Sequence, residues 1–344
     1  MEIFRTHLII NNTDSKRIKN LELPNSSFIL KNEPSNSYWE SKDGKCFTHY
    51  FGGRTPEFSR DDQIPQKELL IEAETEDIAE NLLSIIHGGM LLAYPEPDLT
   101  NNFVFLTPYK EDKDRLYAEP PFINYLKRLE NIGFGCVFAS IAVMDKSLIY
   151  AIEKYKISLE LASFTPHSAD PKYGQVFDNY DLKHNYQTRS AFAIISAFSV
   201  IEELGLEVRS SSKNPRFLNP DKGEWNPSVL GNIQDRLREI GITDDLTFDW
   251  VYRGLPTRIE QEIKPFFGFD SEWVIYGEEI RDKTLSFPEA IHNASFLRNY
   301  IAAHKFNDLT QYISPYDVFN LQLLARQLIL IKMNLWESMI NRKY

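Results

Sequence analysis

Short apolar runs broken by polar turns mark the first part of the chain. Ile3–Ile10 and Ser27–Leu30 carry the dense apolar character of strands, and Asn11-Asn12, Asn25-Ser26 and Gly52-Gly53 are turn pairs. Lys67–Ala73 predicts a further strand. It leads into Thr75, a helix N-cap followed by Glu76 and Asp77 in the first turn. The helix carries Ile78, Leu82, Leu83, Ile85 and Ile86 and is expected to stop at Gly88-Gly89, with Met90–Tyr94 as another strand or a buried continuation. Between 98 and 144, Pro120-Pro121 is a break, Phe122–Asn131 fits a short helix, and Gly133–Met144 fits an apolar helix or strand. The chain shows no internal repeat and no low-complexity tract.

From Asp145 onward the apolar spacing becomes helical. Asp145–Ala162 presents Leu148, Ile149, Ile152, Tyr155 and Leu159 on one face, and the polar loop at 167–175 (HSADPKYGQ) follows. Tyr186–Leu204 is a strong helix with Phe192, Ile195, Phe198, Val200 and Ile201 inward, and Gly205 is placed to end it. Asn226-Pro227 starts a helix running to Gly241, Thr257–Lys264 fits a short one, and Ser286–Lys305 is long. Ser314-Pro315-Tyr316-Asp317 has the order of a capped start for a last helix that continues to Ile340. That helix is apolar around most of its circumference. This predicts burial on more than one side, one against the core and another against a second subunit. The expected organisation is an α+β amino-terminal domain over 1–144, followed by an all-α helical bundle over 145–344.

Charge narrows the partners. The formal net charge is −11, opposite in sign to a general polyanion binder. Residues 186–344 hold 18 Lys or Arg and 21 Asp or Glu, a balance of −3, so the first 185 residues carry the other −8. Any nucleic-acid site is therefore local and belongs to the second half. The two cysteines, Cys46 and Cys136, form no CxxC pair, which argues against structural zinc and for free thiols in a reducing cytoplasm. The amino-terminal residues lack the order of a signal peptide, and the most apolar stretch, Leu321–Met333, contains Arg326, Gln327 and Lys332. The reading is a cytoplasmic chain with no membrane partner. Neither a P-loop nor GxGxxG, GxSxG or HExxH occurs, so kinase, dehydrogenase, hydrolase-elbow and zincin chemistry lose their main support.

One segment carries chemistry. Ala294–Phe306 reads ASFLRNYIAAHKF: Arg298, then the polar Asn299, then His304 after five intervening residues, with the small pair Ala302-Ala303 before it. On a late helix of a helical region, this resembles the HEPN family of small helical nucleases and nucleotide-binding proteins. The resemblance covers roughly 145–344. It implies a HEPN-like bundle, a homodimer whose two motifs form one composite cleft, and metal-independent RNA cleavage leaving a 2′,3′-cyclic phosphate. Domains of that kind act as toxins, in toxin–antitoxin pairs and in phage defence by abortive infection.

The residue types suit the reaction. Imidazole, with an unperturbed pKa of ~6.5, can take the 2′-hydroxyl proton or return one to the 5′-oxygen. A guanidinium stays protonated and makes paired, charge-assisted bonds to phosphate. Asn299 can position a phosphate oxygen or the imidazole. Residues six apart on a helix lie about 120° apart around its axis and ~9 Å along it, so one helix does not present both on one face. Arg298, Asn299 and His304 are thus the candidate catalytic set, with Glu202, Glu203 and Arg189 as candidates to orient it, and no metal or cofactor is called for. The plainer reading pairs Arg298 with Glu289 or another acid and leaves His304 as a helix-end residue favoured by the dipole. Lys213-Asn214-Pro215-Arg216 is a small basic loop. His292 stands outside metal-ligand spacing from His304, His87 is structural, and His167 and His184 flank a polar loop.

The expected function is a HEPN-type endoribonuclease whose acidic amino-terminal domain meets an antitoxin, a trigger protein or a small-molecule ligand. The alternative is a non-catalytic HEPN-like module for dimerisation, nucleotide binding or protein interaction.

Overall fold

The computed structural model describes residues 1–10, 12–32, 38–40, 46–50, 53–54, 67–93, 106–108, 131–163, 184–253, 280–299 and 313–340. The expected helices at Phe122–Asn131 and Thr257–Lys264, the loop at 167–175 and the turn residue Gly52 lie wholly or mainly outside them, as does the stretch from 300 to 305 with His304. The described residues form a mixed α and β protein with small antiparallel sheets. It divides into two compact units, Met1–Pro95 with Asn102–Ile149, and Glu96–Asn101 with Tyr150–Tyr344. The division falls after Ile149, five residues beyond the expected boundary at 144.

In the first unit, β1 (Glu2–Ile10), β2 (Ser26–Asn32), β6 (Lys67–Ala73) and β7 (Thr107–Pro108) form an antiparallel sheet in the order β2-β6-β1-β7. Three short strands, β3 (Tyr38–Glu40), β4 (Cys46–Tyr50) and β5 (Gly53–Arg54), make a separate sheet. The β1–β6 register slips between Arg5 and Leu8, where His7 takes a φ of 61°. Thr6 covers the slip: its hydroxyl donates to Leu69 O (2.6 Å) and accepts from Leu8 N (3.2 Å). Asn12, expected in a turn, instead opens the short helix α1 (Asn12–Ile18).

Helix α2 (Glu76–Ala93) does not stop at Gly88-Gly89, and Met90–Ala93 is its buried continuation. The reason is packing against α3 (Ile132–Ala142). A Cβ on Gly89 would stand 2.9 Å from Phe138 Cβ, and one on Gly135 would stand 2.4 Å from Ile86 O. Glycine here permits a backbone approach that any side chain would block. At the foot of α3, Arg17 lies 4.1 Å above the Phe134 ring and donates to Asp14 (2.8 Å). Cys136 is buried in α3. Burial first, and Asp14 second, hold its thiol well above the usual range.

The second unit is not all-helical. Helices α4 (Lys146–Leu161) and α5 (His184–Glu203) are followed by a small hairpin of β8 (Phe217–Asn219) and β9 (Glu224–Trp225), then α6 (Pro227–Glu239). A seven-pair antiparallel ladder follows, β10 (Thr247–Arg253) with β11 (Ile280–Ser286). Its buried residues are Phe248, Trp250 and Leu285, while Asp282 and Thr284 face outward. This half-buried pairing between distant segments gives little local signal. Helix α7 (Phe287–Leu297) leaves β11 directly, its start fixed by Glu289 accepting from Ser286 N (2.7 Å). The last long helix, α8 (Pro315–Lys332), has the expected cap: Ser314 Oγ accepts from Asp317 N (3.3 Å), and Asp317 accepts from Ser314 N (2.7 Å). It does not reach Ile340. Asn334 turns left-handed (φ 58°) and a separate α9 (Trp336–Ile340) follows.

Every residue of α8 is buried or half-buried, packed against α5, β10 and α7. Two of its polar residues are bonded inward. Asn320 bridges both backbone groups of Val251 (2.8 and 2.7 Å), and the Gln322 amide donates to Ser158 Oγ, Ser158 O and Ala162 O. The all-round apolar pattern is thus satisfied within the chain, and α8 leaves no exposed face for a second subunit. Phe192 on α5, expected inward, is exposed.

Candidate functional site at the end of helix α7

Helix α7 carries its polar side chains at His292, Asn293, Ser295, Arg298 and Asn299, the last two in a π-type turn just past its α-helical end. Turns of that kind recur at functional positions. Arg298 is held from three sides. Its Nη1 donates to Asn299 Oδ1 (2.8 Å), its Nη2 lies 3.5 Å from Glu202 Oε1, and the guanidinium sits 5.8 Å from the Phe198 ring centroid. The Arg298 and Glu202 side chains are 33% and 39% exposed, so water screens the pair and the guanidinium remains reachable from solvent.

The other predicted residues part company. Glu203 turns from Glu202 to Lys154 on α4 (2.6 Å). Arg189 lies thirteen residues earlier on α5, about 20 Å along the axis. It donates to Leu161 O (2.6 Å) and Glu160 O (3.0 Å), capping the end of α4. The structure therefore brings Glu202 and Asn299 to Arg298, and leaves Glu203 and Arg189 in structural contacts elsewhere. Glu289, the plainer partner suggested for Arg298, is occupied by the start of α7. His304 lies outside the described residues.

Sequence reading missed a second cationic contact on the same helix. Arg216, just before β8, donates from Nη1 to His292 Nδ1 (2.7 Å), and its Nη2 lies 3.4 Å from both Ser295 Oγ and Val208 O. Since a guanidinium only donates, His292 accepts at Nδ1 and is a neutral imidazole there. Phe217 and Trp225 close around that ring edge-on, at centroid distances of 4.9 and 6.1 Å. Ser295 Oγ is also 3.4 Å from Asn299 Nδ2. A run of polar contacts thus links Arg216 through Ser295 and Asn299 to Arg298. The available signal was the spacing of residues 292, 295 and 299, which share one face of a helix.

Beside this run, a cavity of about 210 Å³ is lined by Trp225, Leu237, Ile242 and Phe287, with Asp244 and Gln234 among its polar residues. Among the described residues no group of three or more His, Cys, Asp and Glu is placed to hold a metal ion, and no helix is long and apolar enough to cross a membrane. No family model, curated protein or solved structure matches the chain. The reading of function therefore rests on the motif and on this geometry.

Proposed function

We propose that the second unit is a metal-independent endoribonuclease of HEPN type, acting as a homodimer through Arg298 and His304. In this reading His304 takes the proton from the 2′-hydroxyl or supplies one to the departing 5′-oxygen. The 2′-oxygen attacks the phosphorus, the bond to the 5′-oxygen breaks, and a 2′,3′-cyclic phosphate is left. Arg298 holds the phosphate as charge builds on it, with Asn299 beside it. The observation that carries the reading is the setting of Arg298: a guanidinium oriented by Asn299 and Glu202, open to solvent, at the end of a helix. A phosphate binds there by replacing the screened contact to Glu202, and the dimer surface lies elsewhere than α8. The first unit, with 16 Lys or Arg against 21 Asp or Glu, suits an antitoxin, a trigger protein or a small ligand, and growth arrest in phage defence or as a toxin is the corresponding role.

The test is cleavage of RNA by the full chain in EDTA. Wild type should cut and leave 2′,3′-cyclic ends, while Arg298→Ala and His304→Ala should each abolish cutting. Activity persisting in both variants removes the assignment.

One observation favours a non-catalytic interaction module instead. Glu202 already balances the Arg298 charge. Intact RNA at high protein concentration, together with a stoichiometric partner in a pull-down, would decide for that reading.

A further inference from the structure

We infer that Arg216 and Lys213 form a second phosphate-binding site, one that holds a backbone phosphate of RNA other than the one being cut. The assignment to RNA rests on the ribonuclease reading; the preference for a phosphate rests on the geometry alone.

A half-buried guanidinium is ordinarily matched by a carboxylate, because burying an unbalanced charge is costly. Among the described residues Arg216 has no such match. Its hydrogen bonds all end on uncharged acceptors, His292 Nδ1, Ser295 Oγ and Val208 O. Burial alone pushes the guanidinium below its ordinary value, with no acid opposing it. Two of the three bonds are 3.4 Å long, and Nε makes none among the described residues, so donors remain for an oxyanion.

The approach to Arg216 is built to the same end. Residues 209–216 read RSSSKNPR, with three cations, three serines and no acid, in a chain of net charge −11. Residues 209–215 are exposed. The loop is tied: Ser211 N donates to Asn214 O (2.9 Å), Asn214 N donates to Ser211 O (3.1 Å), and Asn226 Nδ2 donates to Asn214 Oδ1 (2.8 Å). Arg209 is taken by Glu207 (2.5 Å), whereas Lys213 has no partner among the described residues. The run through Ser295 and Asn299 then places this site on the same helix face that leads to Arg298. Adjacent phosphates of one strand could occupy the two arginines together.

The test uses the full chain in EDTA with a fluorescent 2′-O-methyl oligonucleotide, which lacks the attacking hydroxyl and cannot be cut. Affinity is read by anisotropy across a salt series, beside thermal unfolding in rising inorganic phosphate at fixed ionic strength. Arg216→Gln should weaken oligonucleotide binding about tenfold and lower the slope of log K against log salt by about 0.7, as expected for one lost phosphate contact on a single strand. Lys213→Gln, on an exposed residue and without risk to folding, should lower the slope by a similar amount. A residue that only props the fold would leave the slope where it was. Wild-type binding with an unchanged slope in both variants overturns the inference and leaves the ribonuclease reading standing. Absence of oligonucleotide binding, with phosphate raising the melting temperature only while Arg216 is present, keeps the phosphate site and removes RNA as its source. Absence of both effects overturns it.

Discussion

Glycine-to-alanine exchange should have opposite signs in two helices of this protein. In an open helix the exchange stabilises by about 1 kcal/mol, because alanine loses less backbone freedom on folding. Gly231 in α6 is such a site, with nothing within 4 Å of an added Cβ. Gly135 in α3 is not. Its Cβ would lie 2.4 Å from Ile86 O, 2.9 Å from Met90 Cγ and 3.0 Å from Ile86 Cγ2. Met90 can turn aside, but the Ile86 carbonyl belongs to the backbone of α2, so relief requires the helices to separate by roughly 1 Å. That loosens the matching contact of Gly89 with Phe138. Overpacking of this kind costs about 1–3 kcal/mol, or more where backbone must move. Against a propensity gain of about 1 kcal/mol, Gly135→Ala should destabilise by up to about 2 kcal/mol, while Gly231→Ala should stabilise by about 0.5–1 kcal/mol. Urea unfolding separates the two. Four of the five tryptophans (225, 250, 273 and 336) belong to the second unit, so fluorescence reports chiefly on α6 and its surroundings, and far-UV circular dichroism reports on both units. The midpoint should fall for Gly135→Ala in dichroism and rise for Gly231→Ala in fluorescence, with slopes unchanged. Shifts of the same sign would refute the argument that close backbone approach decides α2–α3 packing.

Two further outcomes follow from single contacts. Asn320→Ala removes both bonds to Val251 (2.8 and 2.7 Å) and leaves a half-buried peptide unit unpaired, so it should lower stability by about 2–3 kcal/mol; a loss below about 0.5 kcal/mol in denaturant titration would show that water replaces the amide freely. Asp282 has its carboxyl raised above the usual range, first by burial and then by Asp249, so the folded state holds that proton more tightly than the unfolded chain does. The stability it contributes is present below the unfolded pKa of about 3.9 and is lost as pH rises through the folded value. Asp282→Asn should therefore stabilise slightly at pH 7, by less than about 1 kcal/mol at so exposed a site, and the gain should vanish near pH 3. An equal gain at both pH values would assign the effect to something other than charge.

What was legible in the chain was local. The caps at Asn226-Pro227 and Ser314-Pro315 work within a few residues, and the structure starts α6 and α8 where they stand. Strands β1 and β6 announced themselves by continuous apolar runs. The misses were decided by partners far along the chain. Gly88-Gly89 has the local form of a helix stop, and only Gly135 across the interface makes it a contact surface. The β10–β11 ladder joins segments separated by 26 residues, and β11 carries Arg281, Asp282 and Lys283 in succession, which hides its alternation. The apolar circumference of α8 was read as a dimer surface, but it is met by α5, β10 and α7 of the same chain. At the candidate site, Arg298 and Asn299 could be read from adjacency, whereas the Arg216–His292 contact spans 76 positions and no local pattern foretells it.

The buried polar residues of the second unit fall into two kinds, and the difference bears on where function lies. On α8, Asn320 and Gln322 are buried amides whose bonds tie helix to strand and helix to helix, so their polarity is explained by structure. On α7 the accounting fails at one position. Asn293 is fully buried, and among the described residues neither its Oδ1 nor its Nδ2 has a partner. Leaving such a group unsatisfied costs about 1–3 kcal/mol, and a leucine buried there would contribute about 1.5–3 kcal/mol instead. With His292 and Ser295 beside it, one short helix forgoes several kcal/mol of apolar packing in the turn and a half before Arg298. A buried polar group that packing does not explain is expected where a surface has been shaped for something other than stability. The burial of Asn293 thus marks α7, the helix that leads to Arg298, independently of the spacing between Arg298 and His304.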